Sequence, residues 1–131
     1  YWLQAGRLST LALLGGAAVA LIAAAVLMLN NYRDMPGDAR VGRRTLALVL
    51  GAAGARRAYG AMLLAPFAVP AVLALQGRPG ALLSFAALPL CLALVRRLAR
   101  GESGPALNLL LADTARAEFV FGLLLAAGLL L

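Results

Sequence analysis

The sequence predicts an all-α integral membrane protein of about four transmembrane helices, and three observations predict it. Of its 131 residues, 63% are hydrophobic and 13% charged, with a mean hydropathy of +0.91; a water-soluble domain carries about 25% charged residues and under half apolar ones. Too little polar surface remains to wrap a soluble globule. The uncharged residues come in runs long enough to cross a bilayer. All twelve basic residues are arginines, giving a net charge of +7, and they punctuate those runs instead of forming one patch. That pattern fits membrane topology and argues against a nucleic-acid partner.

Residues 8–29 carry no charge for 22 positions, about 33 Å as a helix. Runs over 58–75 and 79–95 predict the second and third helices. The fourth, over 117–131, is interrupted by Glu118, and its unbroken part spans only about 20 Å. The whole chain reads as a single membrane domain with a polar motif loop over 30–57. Six arginines fall in the connection 30–57, one in the turn 76–78 and four in 96–116. This alternation puts the first and third connections on the cytoplasmic side.

Ala12, Gly16, Ala20 and Ala24 recur every four residues, which predicts a smooth face for close helix contact in lipid. Pro66, Pro70 and Pro89 each remove a helical hydrogen bond and predict kinks. Such a bundle either encloses a cavity or packs without one. The apolar segment 105–112 is too short to span, and Leu107, Leu110 and Leu111 are expected at the lipid boundary. Trp2 and Tyr59 read as interfacial belt residues and Cys91 as inert packing. One cysteine and no histidine exclude a disulfide framework, an imidazole zinc site and a histidine triad. The start at Tyr1, without a methionine or a signal-peptide pattern, predicts a portion of a larger membrane protein.

The chemistry concentrates at residues 30–38, Asn-Asn-Tyr-Arg-Asp-Met-Pro-Gly-Asp. Asn30, Asp34 and Asp38 are spaced by four, so a continued helix aligns them on one face, although Pro36 and Gly37 argue for a loosened turn. Two carboxylates at a membrane boundary need partners. A hard cation such as Mg²⁺, which prefers oxygen ligands and keeps phosphate oxygens, is one solution. Arg43 and Arg44 follow, with forks suited to phosphate, and Gly42 lets backbone approach closely. The same residues also read as a surface ion-pair cluster, Asp34 and Asp38 with Arg33 and Arg40. Asp113, Arg116 and Glu118 read as a local pair set on a helix surface.

Residues 30–51, NNYRDMPGDARVGRRTLALVLG, resemble the second aspartate-rich motif of the UbiA-type membrane prenyltransferases, most closely the 1,4-dihydroxy-2-naphthoate branch of menaquinone synthesis. Asn30-Asn31, Arg33-Asp34, Asp38, Gly42 and Thr45-Leu46 match that motif, with Arg43 where lysine is usual. Gln4, Gly6 and Leu107-Asn108 also fit. The resemblance implies the C-terminal part of a nine-helix bundle in the inner (cytoplasmic) membrane of a bacterial cell. It implies transfer of a polyprenyl group from its diphosphate to 1,4-dihydroxy-2-naphthoate, with Mg²⁺ as cofactor. In that scheme Asp34 and Asp38 associate with the metal. Asn30 and Asn31 position diphosphate, metal or aromatic substrate, Arg43 and Arg44 meet the diphosphate, and Tyr32 either turns its ring face to a cationic intermediate or anchors the interface. The family's first aspartate motif belongs to an N-terminal half that this stretch does not match, so the fragment alone is expected to be inactive. Transfer to 4-hydroxybenzoate, homogentisate or a chlorin is the nearest rival reading, followed by a transporter or channel subunit and a membrane anchor.

The arginine alternation predicts that residues 39 and 77 lie on opposite sides of the membrane. In intact cells, a membrane-impermeant thiol reagent should label Gly77→Cys and spare Ala39→Cys; the reverse pattern inverts the topology.

Overall fold

A chain solvated by lipid must satisfy its backbone polar groups internally, and this one does so with helices. The computed structural model describes residues 2–131, in which no strand occurs. The helices are α1 (Trp2–Ala5), α2 (Thr10–Arg40), α3 (Leu46–Leu64), α4 (Ala68–Leu75), α5 (Leu88–Ala99) and α6 (Ala106–Leu130). Two 3₁₀ segments, Ala65–Phe67 and Pro79–Ala87, join α3 to α4 and lead into α5. Three stretches are long and apolar enough to cross a membrane: Thr10–Arg40, Leu46–Leu75 and Pro79–Ala99. The fourth rod, α6, has 25 residues and carries Asp113, Arg116 and Glu118 in its first half, up to the midpoint.

The main departure from expectation is at the polar stretch 30–57. It is helical except for residues 41–45. Ser9 caps α2, its hydroxyl accepting from the Ala12 N–H at 3.1 Å. The helix then runs through Pro36 for 31 residues, about 46 Å. Once a helix is nucleated in lipid, each further residue adds a hydrogen bond without a new nucleation cost. Propagation therefore continues past the apolar run and stops only at the turn where Gly42 takes φ 71. Gly42 serves that turn, and space around its Cα stays open. Thr45 caps α3, accepting from the Leu48 N–H at 3.4 Å. One turn later Gly51 breaks the helix at φ 67, ψ 170, a conformation that a β-carbon disfavours.

The prolines mark transitions between helix types. Pro66 opens the first 3₁₀ segment, Pro70 lies in the first turn of α4 and Pro89 in the first turn of α5. In a first turn the missing N–H has no intrahelical partner to lose.

The buried face of α2 is Ala18, Ile22, Ala25, Met28 and Leu29. The expected Ala12–Gly16–Ala20–Ala24 stripe is not that face: Gly16 and Ala20 are exposed, Ala12 and Ala24 half-buried. A strict four-residue repeat drifts around a helix of 3.6 residues per turn, whereas the alternating spacing 18-22-25-29 stays in phase with it. α6 shows the same phase, burying Leu107, Leu110, Thr114, Ala117, Phe121, Leu125 and Gly128. This corrects the reading of residues 105–112 as a separate interfacial piece. They form the start of α6, with Leu107 and Leu110 buried in the bundle. Tyr59, expected at the interface, is fully buried, and Cys91 is buried as anticipated.

Phe67 ties three segments together, standing edge-on to Phe85 at 5.4 Å and to Phe121 at 5.1 Å between ring centroids. The Thr114 hydroxyl donates to the Leu110 carbonyl at 2.7 Å, so the Tyr59 hydroxyl is the donor in their 2.8 Å bond. Such bonds between membrane helices are worth about 0.6 kcal/mol on average. Leu21, Leu27, Val49, Val72, Leu82, Phe119 and Leu123 remain exposed, an apolar girdle suited to acyl chains.

Gly80 and Gly128 let the second 3₁₀ segment and α6 touch backbone to backbone. A β-carbon on either would overlap the other's carbonyl oxygen. Gly122 differs, since a β-carbon there would meet the Val19 side chain at an ordinary 3.8 Å. Gly128→Ala should therefore destabilise the protein by about 1–3 kcal/mol, while Gly122→Ala leaves it unchanged or slightly more stable. Unfolding of the two variants in detergent, followed side by side, checks the contrast.

Candidate functional site

The polar end of the bundle is built by the last eleven residues of α2, the turn over residues 41–45, the first turn of α3 up to its break at Gly51, and the start of α6. Because α2 stays helical, Asn30, Asp34 and Asp38 follow one another a turn apart along it. Arg33 organises the first two. Its Nε and one terminal nitrogen hold the two oxygens of Asp34 at 2.8 and 3.0 Å. That second nitrogen also donates to the Asn30 amide oxygen at 2.7 Å. The other terminal nitrogen donates to the Asn108 amide oxygen, across to α6, at 3.0 Å. Every nitrogen of the fork is engaged, and the motif is tied to the last helix.

Asp38 is handled separately. It is 8% exposed, while Arg43 reaches its carboxylate at 3.5 Å from solvent, and the Arg43 N–H donates to the Asp38 carbonyl at 3.0 Å. Arg40 does not pair with Asp38 as the ion-pair reading expects; its Nε donates to the Pro36 carbonyl at 3.1 Å. Arg44 is exposed, and Asn31 and Tyr32 are half-buried. Tyr32 and Arg33 line a cavity of about 320 Å³ with Met35, Pro36, Ala52 and Leu107. The structure thus brings Asn30, Arg33, Asp34 and Asn108 together, places Tyr32 beside that cluster, and leaves Asp38 with Arg43 in a second one.

Among the described residues no three His, Cys, Asp or Glu side chains are grouped to hold a metal ion. Mg²⁺ does not need three: it takes one or two carboxylates and completes its shell with waters and phosphate oxygens. Asp34 and Asp38 supply such a pair in chemical type, with Arg43 and Arg44 on the phosphate side.

A third polar cluster lies where α5 meets α6. Arg97 holds Glu102 with two nitrogens at 2.8 and 3.1 Å and Asp113 with the third at 2.8 Å, and Arg116 adds a 2.8 Å contact to Asp113. Of the expected set, Asp113 and Arg116 pair, whereas Glu118 forms no ion pair among the described residues. Arg97 is the member that sequence reasoning missed, because its partners lie 5 and 16 positions away. The hydrogen bond from Arg97, joined by that from Arg116, holds the Asp113 carboxyl below the usual carboxylate range, with desolvation opposing. A depressed carboxylate stabilises the fold above its unfolded value and loses that effect as pH falls through its folded one.

The UbiA prenyltransferase family matches residues 1–112 of this chain. The chain belongs to the UbiA prenyltransferase family. It is 34% identical over 126 residues to the 1,4-dihydroxy-2-naphthoate octaprenyltransferase of Mycobacterium tuberculosis, covering 96% of this chain and 43% of that protein. It is 30% identical over its full length to the human UbiA prenyltransferase domain-containing protein 1, covering 38% of that protein. Over 64 residues, 49% of this chain and 21% of the relative, it is 39% identical to the 1,4-dihydroxy-2-naphthoate octaprenyltransferase of Escherichia coli. The chain therefore spans well under half the length of these relatives. No solved structure matches it. Family membership accords with the all-α membrane fold seen here.

Asn108 contributes through Arg33. Asn108→Ala should cost about 1 kcal/mol, the net worth of one hydrogen bond, and next to nothing when Arg33 is already alanine. A double-mutant cycle on unfolding in detergent measures the coupling; additive losses would break the tie between the motif and α6.

Proposed function

We propose that the intact protein transfers a polyprenyl group from polyprenyl diphosphate to an aromatic acceptor, 1,4-dihydroxy-2-naphthoate, in menaquinone synthesis. The motif end of the bundle then lies on the cytoplasmic face of a bacterial inner membrane. The observation that carries this reading is the row of Asn30, Asp34 and Asp38 along α2, followed immediately by Arg43 and Arg44, at the polar end of a membrane bundle. Family membership and the naphthoate-named relatives support it.

In this reaction the bond between the allylic carbon and the diphosphate oxygen breaks, the aromatic ring carbon supplies the electron pair for the new bond, and the ring regains aromaticity as that carbon loses the group it carried, a proton or its carboxylate as carbon dioxide. Arg43 and Arg44 are placed to take the diphosphate, since guanidinium forks match phosphate oxygens in pairs. Arginine in place of the family's usual lysine keeps the charge and adds a second donor direction. Asp34 and Asp38 would hold Mg²⁺, which when bound neutralises charge on the leaving diphosphate. Asn30 and Asn31 orient substrate oxygens beside them. The Tyr32 ring and the apolar walls at Met35 and Leu107 exclude water from an allylic cation, and the ring face stabilises its charge. The polyprenyl tail lies against the apolar girdle, so the reacting end is presented where lipid meets the polar cluster. The N-terminal half of the protein supplies the remaining acidic ligands in this scheme, and the 131-residue chain alone should give no product.

Asp34→Asn and Asp38→Asn in the intact protein change charge with almost no change in volume. Each should fold normally and lose turnover about 10²-fold or more, some 2.7 kcal/mol of transition-state stabilisation. A purely ionic surface role predicts a change of about 0–1 kcal/mol in stability and near-normal turnover. Rates measured against Mg²⁺ concentration separate the two, and parallel assays with naphthoate, 4-hydroxybenzoate and homogentisate identify the acceptor. Normal rates with unchanged Mg²⁺ dependence in both variants would falsify the site.

A further inference from the structure

Arg56 and Arg57 on α3, and Arg96 and Arg100 at the end of α5, have no part in the site described above. None of the four forms an ion pair among the described residues, whereas Arg33, Arg43, Arg97 and Arg116 each hold a carboxylate. Arg56 and Arg57 line a cavity of about 450 Å³ between α3 and α5, with Ala53, Gly60, Val95 and Ala99 forming the rest of its wall. The helices meet closely at its deep end, where a β-carbon on Gly60 would touch the Val95 side chain at 3.4 Å. On α5 the wall residues Val95 and Ala99 are each followed by an arginine, Arg96 and Arg100, one position further around the helix.

The depth of this groove is fixed by the chain itself. Going toward the polar end, the uncharged run of α3 ends at Ala58 and that of α5 at Val95. Both limits fall at the groove, so its deep end, at Gly60 and Val95, is apolar, while the only charges that line it, on Arg56 and Arg57, are positive. That is the headgroup level of a bilayer, with guanidinium forks at phosphate height. No residue is shared with the cavity at Tyr32 and Arg33. We infer that the α3–α5 groove binds the phosphate of an anionic phospholipid, with Arg56 and Arg57 as its forks and Arg96 and Arg100 flanking them.

The complementarity is specific to charge. Four cations without carboxylate partners repel one another at a lipid boundary, and a phosphodiester relieves that repulsion where a zwitterionic headgroup brings its own cation. The groove is independent of the transferase reading, since its occupant need not react.

The test uses the intact protein in bilayer discs containing phosphatidylcholine alone or an equimolar mixture with phosphatidylglycerol, probed with spin-labelled forms of each lipid. The motionally restricted signal should favour phosphatidylglycerol and fade as salt rises. It should fall about fivefold for each arginine replaced in Arg56→Gln and Arg57→Gln, the weight of one basic residue at an anionic surface. Equal retention of both lipids, a preference that survives high salt, or undiminished retention in the double glutamine variant would overturn the assignment. Displacement of the labelled lipid by millimolar inorganic phosphate would also overturn it, marking a site for the free anion. The salt titration is made on the unaltered protein, so the result does not depend on the variants folding.

Discussion

The hydrocarbon slab is the constraint from which the rest of this structure follows. Every charge costs several kilocalories per mole at its centre, so the twelve arginines and five acids are pushed to the ends of the uncharged runs. All the chemistry the chain can do is thereby confined to the boundary. At that boundary four of the five acids are neutralised by arginine forks. Two of the three clusters this creates tie helices together over different spans. Arg33 joins α2 to α6, and Arg97 joins α5 to the loop after it and to α6. Together they fasten the polar end to the last helix at two points, while Phe67 and the Gly80–Gly128 contact fasten the apolar part.

Inside the slab, shape replaces charge as the organising property. The hydrophobic effect gives little drive between helices already surrounded by lipid, so contact must come from close fit and satisfied hydrogen bonds. The phase-matched rows on α2 and α6 provide the fit, and the Tyr59–Thr114 bond provides a buried polar tie. The 3₁₀ segments are what let Pro66, Pro70 and Pro89 coexist with that packing: tighter winding at Ala65–Phe67 and Pro79–Ala87 places these three near the start of a new helical piece.

Hydropathy made the class of fold and the existence of the helical rods legible in the sequence, because the length of an uncharged run is itself a physical measurement of the bilayer. Their ends were less legible. The reading that stopped the first helix at residue 29 took a change in polarity for a change in backbone, and α2 ignores that change until Gly42. Pro36 strengthened the error, since nothing local shows that a helix already twenty-six residues long will carry a proline. At the site, Asn30, Asp34 and Asp38 were readable from their spacing. The role of Asn108 was not, because a bond across 75 positions leaves no trace in local pattern. The small-residue stripe misled for a similar reason: composition was right, but the phase of a strict four-residue repeat was wrong for a packed face.

The continuity of α2 has a consequence for how this region can change over time. One rigid rod carries both the row that packs in lipid and the acidic row beyond it, with no flexible joint between them to absorb an offset. Inserting or deleting a single residue anywhere from 11 to 29 would turn Asn30, Asp34 and Asp38 by about 100° and shift them by about 1.5 Å relative to the packed face. Arg33 would then face away from Asn108. Substitutions on the lipid-facing side of this rod can accumulate, but its residue count is locked, as the tooth number of a gear is locked by the wheel it must meet.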